Sequence, residues 1–117
     1  MKLLRYGPPG QEKPGLLDAD GRLRDLSAVV PDIGPAQLGD AALARLQRLN
    51  VDKLPLVKGT PRLGCPVAGI GKFIAIGLNY ADHAAESGLP LPKEPVVFSK
   101  AISCAVGANH AVVLPQG

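Results

Sequence analysis

The sequence has no tryptophan, very few aromatic residues, only two cysteines, and no acidic or basic run. Each shortage removes a class of protein. Cys65 and Cys104 lie far apart and outside any Cys-x-x-Cys pair, so neither a disulfide framework nor a cysteine-based zinc site is expected. Two isolated thiols suit a reducing compartment. The thirteen Lys and Arg residues are scattered singly rather than clustered with aromatics between them, which argues against a nucleic-acid binder. The opening MKLLRYGPPG has Lys2 and Arg5 but no apolar core, so it does not read as a signal peptide. The longest apolar stretch is broken by Lys72 and by glycines and is too short to span a membrane. These points together predict a cytoplasmic protein with no nucleic-acid and no membrane partner. No phosphate-binding Gly-rich loop, Gly-x-Ser-x-Gly elbow or His-Glu-x-x-His motif occurs.

What the chain does have is glycine and proline: 14 and 12 in 117 residues. That balance favours short strands and many turns over a helical bundle. Met1–Tyr6 reads as a first strand, stopped by Gly7-Pro8-Pro9-Gly10. Ala19-Asp20-Gly21 between two leucine-containing runs is a hairpin signal, with half-exposed arms. Asp40 is placed to cap a helix over about 41–49, with Leu43, Leu46 and Leu49 on its core face and Arg45 and Arg48 in its last turn. The proline- and glycine-rich stretch 53–71 reads as a linker with short extended pieces. Val96-Val97-Phe98 and Ala111–Leu114 read as later strands. The expected organisation is a small domain with its linker over 1–70, then the beginning of a second domain over 71–117.

The stretch Phe73–Glu86, FIAIGLNYADHAAE, carries the chemistry. Phe73–Ile76 reads as a buried strand. Gly77 is expected to permit the turn, and Asn79 to cap a short helix with Asp82 three residues on. His83 and Glu86, three residues apart, share a helical face. A carboxylate beside an imidazole orients it and favours its protonated form, and such a pair can activate water or move a proton at carbon. The bland reading is a solvated surface pair. As metal ligands the two would supply only part of a site. Tyr80 is a half-buried ring or a substrate hydrogen-bonding group. Lys100 is a strand-end lysine or a partner for a substrate carboxylate. Cys104 reads as a small buried residue and His110 as a loop residue.

GLNYADHAAE followed by EPVVFSKAISCAVG resembles the opening of the catalytic domain of the fumarylacetoacetate hydrolase family. The family pattern is Gly-x-Asn-Tyr-x-x-His-x-x-Glu, then a proline-containing loop, then Pro-x-x-Phe-x-Lys. The whole chain resembles the front portion of bacterial members assigned as ureidoglycolate lyase or as hydroxymuconate or hydroxyheptadienedioate isomerase. The resemblance implies an α+β fold: a small N-terminal β-hairpin-plus-helix module, then the start of an incomplete, mixed β-rich roll. It implies His83 and Glu86 as a catalytic dyad, with Tyr80 and Lys100 toward the substrate, a 2-oxo or 2-hydroxy (di)acid. It implies a divalent metal, magnesium, and a homodimer. The family's metal ligands, a Glu-x-Glu pair and a later Asp, are expected beyond Gly117, because Glu12, Glu86 and Glu94 form no such pair. The alternative expectation is a non-catalytic truncated fragment or docking module without the metal carboxylates.

Overall fold

The glycine and proline turns divide the chain into short strands, and a computed structural model describing residues 1–116 shows how they pair. Two compact units result: residues 1–70 together with those from Ala105 onward, and Gly71–Cys104.

The first unit is built on a three-stranded antiparallel sheet, β1 (Lys2–Tyr6), β2 (Lys13–Leu17) and β3 (Leu23–Asp25), in that order. Gly7 and Gly10, both at positive φ, reverse the chain between β1 and β2. Between β2 and β3, Asp18 organises the turn. Its backbone N–H donates to the Arg22 carbonyl (3.0 Å), and its carboxylate accepts from the N–H groups of Asp20 (3.0 Å) and Arg22 (2.8 Å). Gly21 sits at φ 77°, so the hairpin expected around Asp20-Gly21 is present. Its arms are less exposed than expected: Leu16 is buried, and Arg24 turns inward to Asp18 Oδ2 (2.9 Å) and the Leu54 carbonyl (3.2 Å).

Helix α1 (Pro35–Leu38) is one turn long and leads into α2 (Asp40–Gln47). Gly39, not Asp40, is the N-cap of α2. Asp40 lies inside the first turn, so it acts on the helix dipole through charge and not as a cap. The helix ends at Gln47, with Arg48 as C-cap, two residues before the expected stop. Leu46 is buried and Leu43 and Leu49 are half-buried, as a leucine stripe requires. Leu16, Leu26 and Ile33 form the core, with Leu3, Val30, Leu49, Val51 and Leu54 packed against it.

The stretch expected as a linker is part of this unit. Pro55–Val57 lies along the outer edge of β3: Asp25 N–H donates to the Pro55 carbonyl and Val57 N–H to the Leu23 carbonyl, both at 2.9 Å. Arg62–Gly64 lies along the outer edge of β1, with Gly7 N–H bonded to the Arg62 carbonyl (2.9 Å) and Gly64 N–H to the Arg5 carbonyl (2.8 Å). Each edge of the sheet is thereby covered over part of its length. Arg5 ties the same parts together through side chains. Its guanidinium donates to both Asp32 oxygens (2.7 and 3.0 Å) and to the Cys65 carbonyl (3.2 Å), while Arg62 pairs with Glu12 (2.8 Å). The strand expected over Ala111–Leu114 does not form; those residues are exposed and make no ladder. Val-Val is strand-prone, but a strand needs a partner, and none pairs with it among the described residues.

The second unit is a two-stranded antiparallel sheet, β4 (Phe73–Gly77) and β5 (Val96–Lys100), with helix α3 (Ala81–Glu86) following β4. The register runs from Phe73↔Lys100 to Gly77↔Val96. β4 was expected to be buried, yet Ile74 is 53% and Ile76 42% exposed. The physical reason is a shortage of layers: one hairpin and one six-residue helix supply too little surface to enclose it.

No helix among the described residues is long and apolar enough to cross a membrane.

Candidate active site

The site is assembled by the connection from β4 to α3. Gly77 was expected to supply the turn, but the left-handed residue is Leu78, at φ 47°. A leucine in this region carries backbone strain of about 1–2 kcal/mol relative to its usual conformations. Tyr80, in an extended conformation, is the N-cap of α3, and its carbonyl accepts the N–H of Ala84 (3.2 Å). Asn79 therefore stands one residue too early to cap the helix. Asp82, expected as its partner, instead accepts the neighbouring N–H of His83 (2.8 Å) and places a negative charge in the first turn.

The other end of α3 is also fixed. Gly88, at φ 64°, donates to the Ala85 carbonyl (3.1 Å), and Leu89 donates to the Ala84 carbonyl (3.0 Å). This pair of bonds is a Schellman motif, which ends a helix with its last carbonyls satisfied. Short as it is, α3 is bounded on both sides by backbone geometry. Its one buried side chain is Ala84.

His83 and Glu86 lie one turn apart on this helix, and both are exposed. The structure brings the two residues to one face but joins them by no hydrogen bond or ion pair. Tyr80, 71% exposed, flanks them at the helix start. It is not the half-buried ring that its position implied.

Lys100 stands elsewhere on the same sheet. It pairs with Phe73, at the end of β4 opposite Gly77 and the start of α3. Four steps along the strand separate those ends, about 13 Å at the usual strand rise. The Lys100 ammonium lies 5.2 Å from the centre of the Phe98 ring, a cation–π contact that the sequence analysis missed. The alternation Phe98-Ser99-Lys100 was the available signal, since residues two apart share a strand face.

Cys104, expected to be buried, is exposed at the end of a 3-10 turn over Ile102–Cys104. His110 lies in a turn of the first unit, where its Nδ1–H donates to the Ala111 carbonyl (2.9 Å). Neither cysteine is disulfide-bonded. Among the described residues no three His, Cys, Asp or Glu side chains converge as metal ligands. The described residues taken alone therefore do not make up a divalent-metal site.

Comparison with known proteins extends these observations. No family model matches the sequence. Two proteins named "Putative hydrolase", from Burkholderia multivorans and Burkholderia ambifaria, are 65% and 64% identical to it over 117 residues. The match takes in all of this chain and 42% of each relative. Among solved structures, one titled a "putative HpcE protein" from Mycobacterium smegmatis superposes with a TM-score of 0.73 at 31% identity. It too is matched over 100% of this chain and 42% of its own. The fold is thus a mixed α+β arrangement of small sheets and few helices shared with part of that protein. The chain spans less than half the length of the relatives it matches.

Proposed function

We propose that this chain is part of an enzyme of the fumarylacetoacetate hydrolase type, with His83 and Glu86 as its acid–base pair. The observation that carries this reading is the β4–turn–α3 connection. It presents an imidazole and a carboxylate on one open face of a helix fixed at both ends. The names of the relatives and of the solved structure support a hydrolase-like enzyme. In the working enzyme Glu86 would turn to bond the imidazole, a contact the two exposed side chains do not make here, and His83 would take a proton from water or from a substrate carbon. The substrate class is a 2-oxo or 2-hydroxy (di)acid, with ureidoglycolate cleavage and hydroxymuconate-type isomerisation as the leading reactions. Tyr80 and Lys100 supply hydrogen-bonding and positive groups for its polar ends. A homodimer in the cytoplasm completes the reading.

Magnesium enters this proposal only as a requirement of polypeptide outside these 117 residues. The reading predicts that a polypeptide of the relatives' length containing this sequence turns over such an acid and loses activity on chelation. In that polypeptide His83→Ala is expected to lower kcat by about 100-fold or more while metal binding persists. Unchanged turnover removes the pair from the mechanism.

The second reading is a non-catalytic docking module, in keeping with His83 and Glu86 standing exposed on α3 without a bond between them. It predicts that a polypeptide of the relatives' length containing this sequence shows no turnover of these acids, with or without magnesium. Turnover that is lost on chelation would refute it.

A further inference from the structure

The first unit carries a small notch where the turn ending at Val29 and Val30 meets α1 and α2. It encloses about 120 Å³. Val29, Val30, Leu46 and Leu49 make it apolar, and two polar side chains, Gln37 and Arg45, stand in its wall. The fold has fixed what Gln37 can offer. Its side-chain oxygen accepts the Gly34 N–H (3.1 Å) at the start of α1, which sets the orientation of the amide. Its NH2 group is left to donate, and no acceptor takes it among the described residues. Arg45 is exposed and joins no ion pair among the described residues. A guanidinium only donates. From its polar side chains, then, the notch presents hydrogen-bond donors, one of them charged, beside an apolar floor.

We infer that this notch binds a small free carboxylic acid with a short branched aliphatic body. Charge selects the anion: a carboxylate takes two parallel hydrogen bonds from a guanidinium, and Gln37 adds a neutral donor. Size selects the body. A cavity of about 150 Å³ holds a benzene ring, so one of about 120 Å³ takes a branched group of about four carbons. Drug-sized molecules need about 300 Å³ or more. Arg45 also complements the dipole of α2 from its last turn, but that role uses neither the apolar floor nor Gln37. The whole notch belongs to the first unit, so the inference does not depend on the enzymatic reading of His83 and Glu86.

The test is a titration of 3-methylbutanoate into a polypeptide of the relatives' length containing this sequence. The NMR methyl signals of Val29, Val30, Leu46 and Leu49 are expected to shift and saturate, with a Kd of about 1–10 mM. Acetate, which lacks the body, and 3-methylbutanamide, which lacks the charge, are each expected to bind at least about 10-fold more weakly. Arg45→Gln is expected to weaken binding by about 10-fold. Because Arg45 is exposed, that variant should keep its fold, and an unchanged thermal midpoint would verify it. Ala42→Leu fills the notch with a good helix former and is expected to abolish binding. No saturable shift at the four residues would overturn the inference, as would shifts confined to His83 and its neighbours. Equal affinity for acetate would reduce the site to surface ion pairing, and equal affinity for the amide would remove Arg45 from recognition; either overturns it. Tighter binding of acetyl-glycyl-leucine would also overturn it, because the occupant would then be a peptide carboxyl terminus and not a free acid.

Discussion

The two units use similar strand lengths and reach opposite states of completion. In the first, both edges of a three-stranded sheet are strapped by 55–57 and 62–64, and one face holds a core of Leu16, Leu26 and Ile33. In the second, a two-stranded sheet has both edges and both faces open, and only Ala84 is buried. A shortage of apolar residues does not make the difference, since FIAI and VVF are more apolar than LLRY. What differs is the supply of partners. Extended proline-containing segments, which cannot form helices, serve the first sheet as edge strands. The second unit has only the loop Gly88–Pro92 to offer, and it bonds to α3 instead of to a strand.

The largest expected effect breaks the comparison at the core. Leu26 is fully buried, so Leu26→Ala should cost about 2–5 kcal/mol in chemical denaturation of the first unit. Ile76→Ala removes the same amount of carbon from a site already 42% exposed, and should cost less than about 1 kcal/mol. Equal costs would mean that the hairpin is enclosed after all.

A smaller effect belongs to Arg5. Its side chain is 12% exposed and holds Asp32 and Glu12 across three segments of the first unit. The Asp32 carboxylate holds the guanidinium pKa up, and the guanidinium in turn holds Asp32 below the usual carboxylate range. Arg5→Met should cost about 1–2 kcal/mol, less than a fully buried pair because Asp32 is partly in water. Denaturation midpoints with and without Asp32→Asn in the same chain would show whether the two changes are coupled.

The same unit should be acid-sensitive. Burial raises the Asp18 pKa, but the backbone N–H of Arg22 and the side chains of Arg24 and Arg22 outweigh it and bring the group down to about 2. Asp32 is lowered mainly by Arg5. Asp25 is lowered too: burial raises it, but its hydrogen bonds with Ser27 prevail. Carboxylates with depressed pKa values stabilise the fold above their unfolded values, about 4, and that stability is lost as pH falls through the folded ones. Thermal midpoints of the first unit should therefore hold above about pH 5 and drop between about pH 4 and pH 2. A flat profile there would remove these ion pairs from the stability of the unit.

Much of the first unit was legible because its signals are local. Asp20-Gly21 marks a turn, and Leu43, Leu46 and Leu49 mark a helix face, whatever lies elsewhere. The strapping of the sheet edges was not legible, because bridges such as Arg24↔Leu56 join residues distant in sequence and rest on backbone atoms that every residue has. In the second unit the elements β4, α3 and β5 were legible, but burial was not. FIAI implies a covering layer, and the sequence of a strand does not say where that layer comes from. Of the candidate site, the shared face of His83 and Glu86 followed from their spacing. The cap at Tyr80 and the strained turn at Leu78 did not, since Gly77 and Asn79 are the residue types that usually fill those roles.

Leu78 offers the finest test of the comparison, because it separates stability from placement. The first unit puts all its positive-φ backbone on glycines: Gly7, Gly10, Gly21, Gly59 and Gly69. The second puts leucine in the left-handed region at the one turn that aims α3. Leu78→Gly relieves the strain and forfeits a half-buried side chain, so the net change in stability should be within about 1 kcal/mol. If the strain merely tolerates the sequence, a polypeptide of the relatives' length carrying Leu78→Gly should keep its turnover. If the turn fixes the angle at which His83 and Glu86 meet substrate, a glycine loosens that angle. kcat should then fall several-fold while the denaturation midpoint barely moves, because small losses of orientation reach the reaction before they reach the fold. A fall in both together would assign Leu78 to packing, and would leave the positioning of the pair to the Schellman turn at the other end of the helix.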